Sequence, residues 1–110
     1  MQSGVIKDSQ ITASSQWDAN HAAIQGRLNF KAGGGKQGGW SARTNDANQW
    51  LQIDLKTITN IRGIGTQGRN EHSQWVTKYK LQYSKDGVTF NYYTQPGHSS
   101  PKVLKPYAFC

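Results

Sequence analysis

The chain has a single cysteine, Cys110, at its last position. One thiol cannot close an intrachain disulfide, so it is free, paired with another chain, or parted from a partner. The parted partner is the favoured reading. Acidic residues are scarce as well: six Asp and Glu stand against thirteen Lys and Arg, a formal charge of +7. That balance favours anionic partners such as lipid headgroups, acidic glycans or nucleic acid, without choosing among them. No stretch approaches a membrane span, and Met1 opens a polar segment with no apolar signal-peptide core, so a secreted protein would carry its signal upstream. No Asn-x-Ser/Thr glycosylation site is present, nor any heptad or long amphipathic helix.

These absences remove whole classes of chemistry. His21, His72 and His98 lie far from metal-ligand spacing, which sets zinc aside. The glycine-rich segment Ala32 to Gly39 lacks the Gly-Lys-Ser/Thr ending of a phosphate cradle. No Ser, His and Asp arrangement or carboxylate pair forms a motif, so the chain is not expected to be an enzyme. Basic residues are scattered from Lys7 to Lys105 with no dense run, and nucleic acid is not the expected partner. No cofactor is expected. Calcium keeps Asp18, Asp46 and Asn48 as candidate ligands, against the scarcity of carboxylates.

What the sequence does hold is aromatic: four Trp and five Tyr supply enough apolar area for one modest core, and 110 residues make one domain at most. Trp50 to Leu55 alternates, with Leu51, Ile53 and Leu55 on one face and Gln52 and Asp54 on the other, which predicts a half-buried strand. Ile58 to Thr66, with Gly63 and Gly65, fits a second strand under close-packed neighbours. Alternation returns over Val76 to Ser84, stops at the turn signal Lys85-Asp86-Gly87, and predicts Val88 to Thr94 as the hairpin partner. The fold class expected is all-β, an antiparallel jelly-roll β-sandwich. Residues 12–49 lack sustained periodicity and read as long loops carrying Trp17, Trp40 and Gly33-Gly34-Gly35.

The run Trp50 to Leu55, then Ile61 to Thr66, Gln67-Gly68-Arg69, and Gln74 to Gly87 resembles the central half of a discoidin domain, the C-type domain of coagulation factors V and VIII. Met1 to Ile6 and Asp8 to Ser15 resemble that family's opening segment, and Ala42 to Gln49 its approach to the third strand. The resemblance implies an eight-stranded, galactose-binding-domain-like jelly roll. Loops project from one end of it and contact glycans, phospholipid headgroups or receptors. It also implies an extracellular or cell-surface address, a non-catalytic role, a place in a longer multidomain protein, and a disulfide between terminal cysteines. Residues 1–94 carry the likeness as a partial domain. Residues 95–110, with Pro96, Pro101 and Pro106, form a divergent C-terminal tail in which the family's last strands are missing or altered. Arg69-Asn70-Glu71 stands where some relatives carry Arg-Gly-Asp, so an integrin reading gains no support.

A sugar site needs an aromatic plate beside a forked donor and a fixed acceptor. Trp75, Arg69, Asp46 and Asn45 are the candidates, and the resemblance places Arg69 and Trp75 on one loop and Asp46 on another. Arg69 has a plainer alternative in an ion pair with Glu71, and Trp75 in capping the core. The resemblance places Trp17 on the first projecting loop and Trp40 on the second. Exposed there beside Lys31, Lys36 and Arg43 they suit an anionic phospholipid surface; packed under the loops they are structural. Cell-surface glycans of galactose type are the leading expected partner, with anionic phospholipid as the alternative.

Overall fold

The computed structural model describes residues 5–105, so the chain opening and Cys110 lie outside the described residues. The chain divides into two compact units, Met1–Trp75 and Val76–Cys110. Its regular structure is strand, with short 3-10 turns between.

In the first unit, β1 (Ile11–Ala13) pairs antiparallel with β2 (Leu51–Ile53), with Ile11 opposite Ile53 and Ala13 opposite Leu51. The ladder gains one bond at each end, Ser14 N–H to Trp50 O at 2.9 Å and Asp54 N–H to Gln10 O at 2.8 Å. The strand then stops for a local reason: the Asp54 carboxylate accepts from the Lys56 N–H at 2.8 Å, and Lys56 turns to φ 65°. Ile11, 4% exposed, and Ala23 form the buried apolar centre among the described residues.

The strand expected over Ile58 to Thr66 is not formed. Ile58, Ile61 and Ile64 are 74%, 55% and 45% exposed, and nothing lies within 4 Å of a Cβ built on Gly63 or Gly65. Their spacing of three puts Ile61 on the face opposite Ile58 and Ile64, so an extended segment there cannot bury all of them on one side.

In the second unit, β3 (Tyr79–Lys80) and β4 (Gln82–Tyr83) follow the predicted alternation, interrupted at Leu81. β4 pairs with β5 (Asn91–Tyr92), and β3 with β6 (Val103–Leu104), both antiparallel. The hairpin is wider than the tight turn expected. Asp86 Oδ1 accepts from the N–H groups of Val88 at 2.8 Å and Thr89 at 2.9 Å, and Ser84 Oγ accepts from Gly87 N–H at 2.9 Å. Gly87 adopts φ 77°, which L side chains rarely take.

Candidate ligand-binding loops

The loops of the first unit are organised by side-chain amides. Gln25, 1% exposed, accepts from the Ala22 N–H at 2.8 Å and donates to Asn20 O and, at 2.9 Å, to Gln37 O. Every hydrogen-bonding group on this buried amide oxygen and nitrogen thus meets main chain, as burial requires. Segment 17–22 is also joined directly to segment 37–41, through Gln37 N–H to Asn20 O at 2.9 Å, Ser41 N–H to His21 O at 3.3 Å and Trp17 N–H to Ser41 O at 2.8 Å. Asp18 starts the 3-10 turn Ala19–His21, accepting from Asn20 N–H, while His21 Nδ1 lies 2.6 Å from the same carboxylate oxygen. The His21 contact, followed by the Asn20 amide, holds the Asp18 carboxyl below its ordinary value.

Arg69 ties a third segment to these. Its guanidinium donates from Nη1 to Gln74 Oε1 and from Nη2 to Gln37 Oε1, both at 2.6 Å. Beside it the Asn70 N–H donates to Gly38 O at 3.1 Å, and the Asn70 side chain accepts from Ala32 N–H at 3.0 Å. A Cβ at Gly38 would stand 2.5 Å from Asn70 Cβ and 2.6 Å from Asn70 O, so this crossing needs glycine. Arg69 Nε is buried without a hydrogen-bond partner. The alternative Arg69–Glu71 ion pair is not among those formed by the described residues; both ends of the fork go to glutamines instead, and Glu71 turns at φ 66°.

The fourth segment, 43–50, is fastened through Gln49 and the serines after β1. Ser14 and Ser15 hydroxyls donate to Gln49 Oε1 at 2.8 and 2.7 Å, and the Gln49 amide donates to Asp46 Oδ1 at 3.0 Å. Asn48 N–H donates to the same Asp46 oxygen at 2.9 Å. These two donors, Gln49 first, lower the Asp46 pKa, so the residue is a fixed anion on an exposed loop. Asn45 is exposed next to it.

The tryptophans part company. Trp40 is half-buried, and its indole N–H donates to Ser15 O at 2.8 Å, which makes it a structural pin beneath the loops. Trp17 and Trp75 remain 66% and 62% exposed. Trp75 therefore does not cap the core. The structure thus brings segments 17–22, 37–41 and 69–74 together around Gln25, Gln37 and Arg69, with Asp46 held to the β1 end by Gln49. The organising glutamines are the residues that sequence reading passed over; they stand in no periodic pattern, and only their hydrogen bonds to distant segments mark them.

Among the described residues no group of three His, Cys, Asp or Glu side chains stands together in a way that would hold a metal. The calcium candidates are separately engaged, Asp18 with His21 and Asp46 with Gln49 and Asn48. A groove of about 560 Å³ lies elsewhere on this unit, lined by Ile6, Lys7, Asp8, Ser9 and Arg27. Asp8 and Arg27 form an ion pair across it at 2.6 Å. No helix among the described residues is long and apolar enough to cross a membrane.

The chain is 36% identical over 116 residues to lactadherin of Bos taurus, covering 94% of this chain and 26% of lactadherin. It is 39% identical over 111 residues to coagulation factor V of Sus scrofa, covering 96% of this chain and 5% of that protein. The chain therefore spans about a quarter or less of these relatives. Among solved structures, wild-type discoidin II from Dictyostelium discoideum matches with a TM-score of 0.65 at 23% identity, over 89% of this chain and 38% of that one, which establishes the all-β, galactose-binding-like jelly-roll fold. The profile of the F5/8 type C domain matches residues 10–107, and the chain belongs to that discoidin family of non-catalytic binding modules.

Proposed function

We propose that this chain is an extracellular carbohydrate-recognition module, part of a longer adhesion or innate-recognition protein, that takes galactose-type glycans on the loops of its first unit. The observation that carries the reading is the exposure of Trp17 and Trp75 on loops that a hydrogen-bond network holds in place. An indole left in water costs free energy that burial would recover, about 25 cal/mol per Å² of apolar surface. A sugar ring's apolar face recovers it on binding. Asp46 supplies the fixed anionic acceptor, with Asn45 beside it. Arg69 serves this site as a positioning residue through Gln37 and Gln74, and Trp40 through Ser15.

Anionic phospholipid is the second reading. The same exposed indoles and the net charge of +7 suit a headgroup layer, with exposed Lys31, Lys36 and Arg43 for attraction. A comparison of galactose-terminated glycans with phosphatidylserine vesicles, using wild type, Trp17→Ala and Trp75→Ala, separates the two. Glycan binding that drops about tenfold or more in both folded variants supports the first reading. Vesicle binding that fades with salt, without glycan binding, transfers the assignment to the second.

A further inference from the structure

The second unit contains a loop that the tryptophan surface does not use. Opposite strand residues 79–83, the partner line is made of two separated pieces of chain. Asn91 and Tyr92 pair with Tyr83 and Gln82, Tyr93 N–H donates to Leu81 O at 2.8 Å, and Val103 and Leu104 then pair with Lys80 and Tyr79. Residues 94–101 leave this line and return to it. Thr94 bridges Pro101 at the neck, and Lys102 N–H donates to Tyr93 O at 2.9 Å. At the tip, His98 N–H donates to Gln95 O at 2.9 Å, with Pro96 and Gly97 between and Gly97 at φ 83°, a type II turn.

The returning arm places His98 and the consecutive residues Ser100, Pro101, Lys102 and Val103 on one cleft of about 270 Å³, completed by Gln95. Lys102 Nζ donates to Gln95 Oε1 at 2.9 Å, which fixes the ammonium there while its remaining donors stay available. No carboxylate lines the cleft. The segment 76–110 carries five lysines against one acid, Asp86, whose carboxylate is already taken by Val88, Thr89 and Ser84. A cleft whose lining offers an ammonium, a hydroxyl and an imidazole and holds no carboxylate suits an anion.

We infer that this cleft is an oxyanion subsite for the sulfate or phosphate ester of an acidic sugar. The tip residues Pro96, Gly97, His98 and Ser99 include no large apolar side chain to enter a bilayer, so the ester is carried on a sugar and not on a membrane lipid. The cleft volume lies near the small end of ligand sites and suits one esterified ring. None of Trp17, Trp75, Asp46 or Arg69 takes part, so this subsite stands independently of the neutral-sugar reading above.

The test is an amide-resolved NMR titration of the full chain with a sulfated disaccharide, the same disaccharide without sulfate, a hexose phosphate, and galactose. Shifts at residues 95–103 with a charged sugar, and none there with its uncharged counterpart, are expected. The two charged probes tell sulfate from phosphate. Galactose reports on the tryptophan loops separately, so either assignment fails alone. Lys102→Gln is expected to weaken the charged sugar about tenfold and Lys102→Arg to restore it. Exposed Ser100→Ala, which leaves the Lys102–Gln95 bond in place, is expected to weaken it about threefold and keeps the question open to measurement if Lys102→Gln does not fold. Equal shifts from charged and uncharged sugars would overturn the inference, as would undiminished affinity in Lys102→Gln or, where that variant is not folded, in Ser100→Ala.

Discussion

The two units of this chain solve the problem of holding loops in different ways. The first contains every buried residue among those described, Ile11, Ala23, Gln25 and Gly38, and its loops are clasped by side-chain amides and one guanidinium. The second buries none of its described residues completely and rests on main-chain pairs along residues 79–83, with a carboxylate organising its hairpin turn. A loop that must keep a shape is held better by buried hydrogen bonds than by exposed ladder bonds, because water competes for the latter.

The strongest way to break that contrast is Gln25→Leu. It strands Ala22 N–H and Gln37 O, while Asn20 O keeps the Gln37 N–H, and a loss of about 3 kcal/mol in a denaturant titration is expected, since each unmet buried group costs roughly 1–3 kcal/mol. Gly38→Ala comes next. The contact with Asn70 forces the two segments apart, for a loss of about 2 kcal/mol and a matching loss of glycan affinity, measured on the same sample. Arg69→Ala removes the bonds to Gln37 and Gln74 and is expected to cost about 1–2 kcal/mol, offset in part by release of the unpartnered Nε. Trp17→Ala and Trp75→Ala are expected to shift stability by no more than about 0.5 kcal/mol while removing binding, which separates platform from contact.

The smallest effect concerns acid. Asp86 is held below its ordinary value by the Thr89 and Val88 amides and Ser84, and Asp46 likewise by Gln49 and Asn48. A lowered folded pKa means stabilisation that is complete above the ordinary Asp value of 3.8 and is lost as pH falls through the lower folded one. Asp86→Asn should therefore flatten the acid limb of the second unit's transition and leave the first unit's unchanged, read by amide exchange at Thr89 and Gln25.

The hairpin of the second unit was legible in the sequence, because alternation over 76–84 and the Asp86-Gly87 signal are local properties of the chain, whereas β6 lies in the stretch read as a divergent tail and depends on its distant partner β3. The strand at Leu51–Ile53 was legible for the same reason. The run 58–66 misled, since apolar content without period-two spacing does not define a buried face. Trp17 and Trp75 could be named but not sorted from Trp40, because exposure depends on which carbonyl an indole meets, and Ser15 is far from Trp40 in sequence. Gln25, Gln37 and Gln49 left no signal at all: an amide is equally at home on a surface, and only the crossing of distant segments turns it into a clasp.

Gln25 has a consequence for how such a module changes over time. Its amide meets main-chain groups only, at Ala22, Asn20 and Gln37, and so takes no notice of which side chains those residues carry. Loop tips on either side can be rewritten freely as long as three peptide groups return to their places. The framework and the ligand preference are thereby inherited separately, and a new specificity can be tried by replacing tip residues without re-founding the fold.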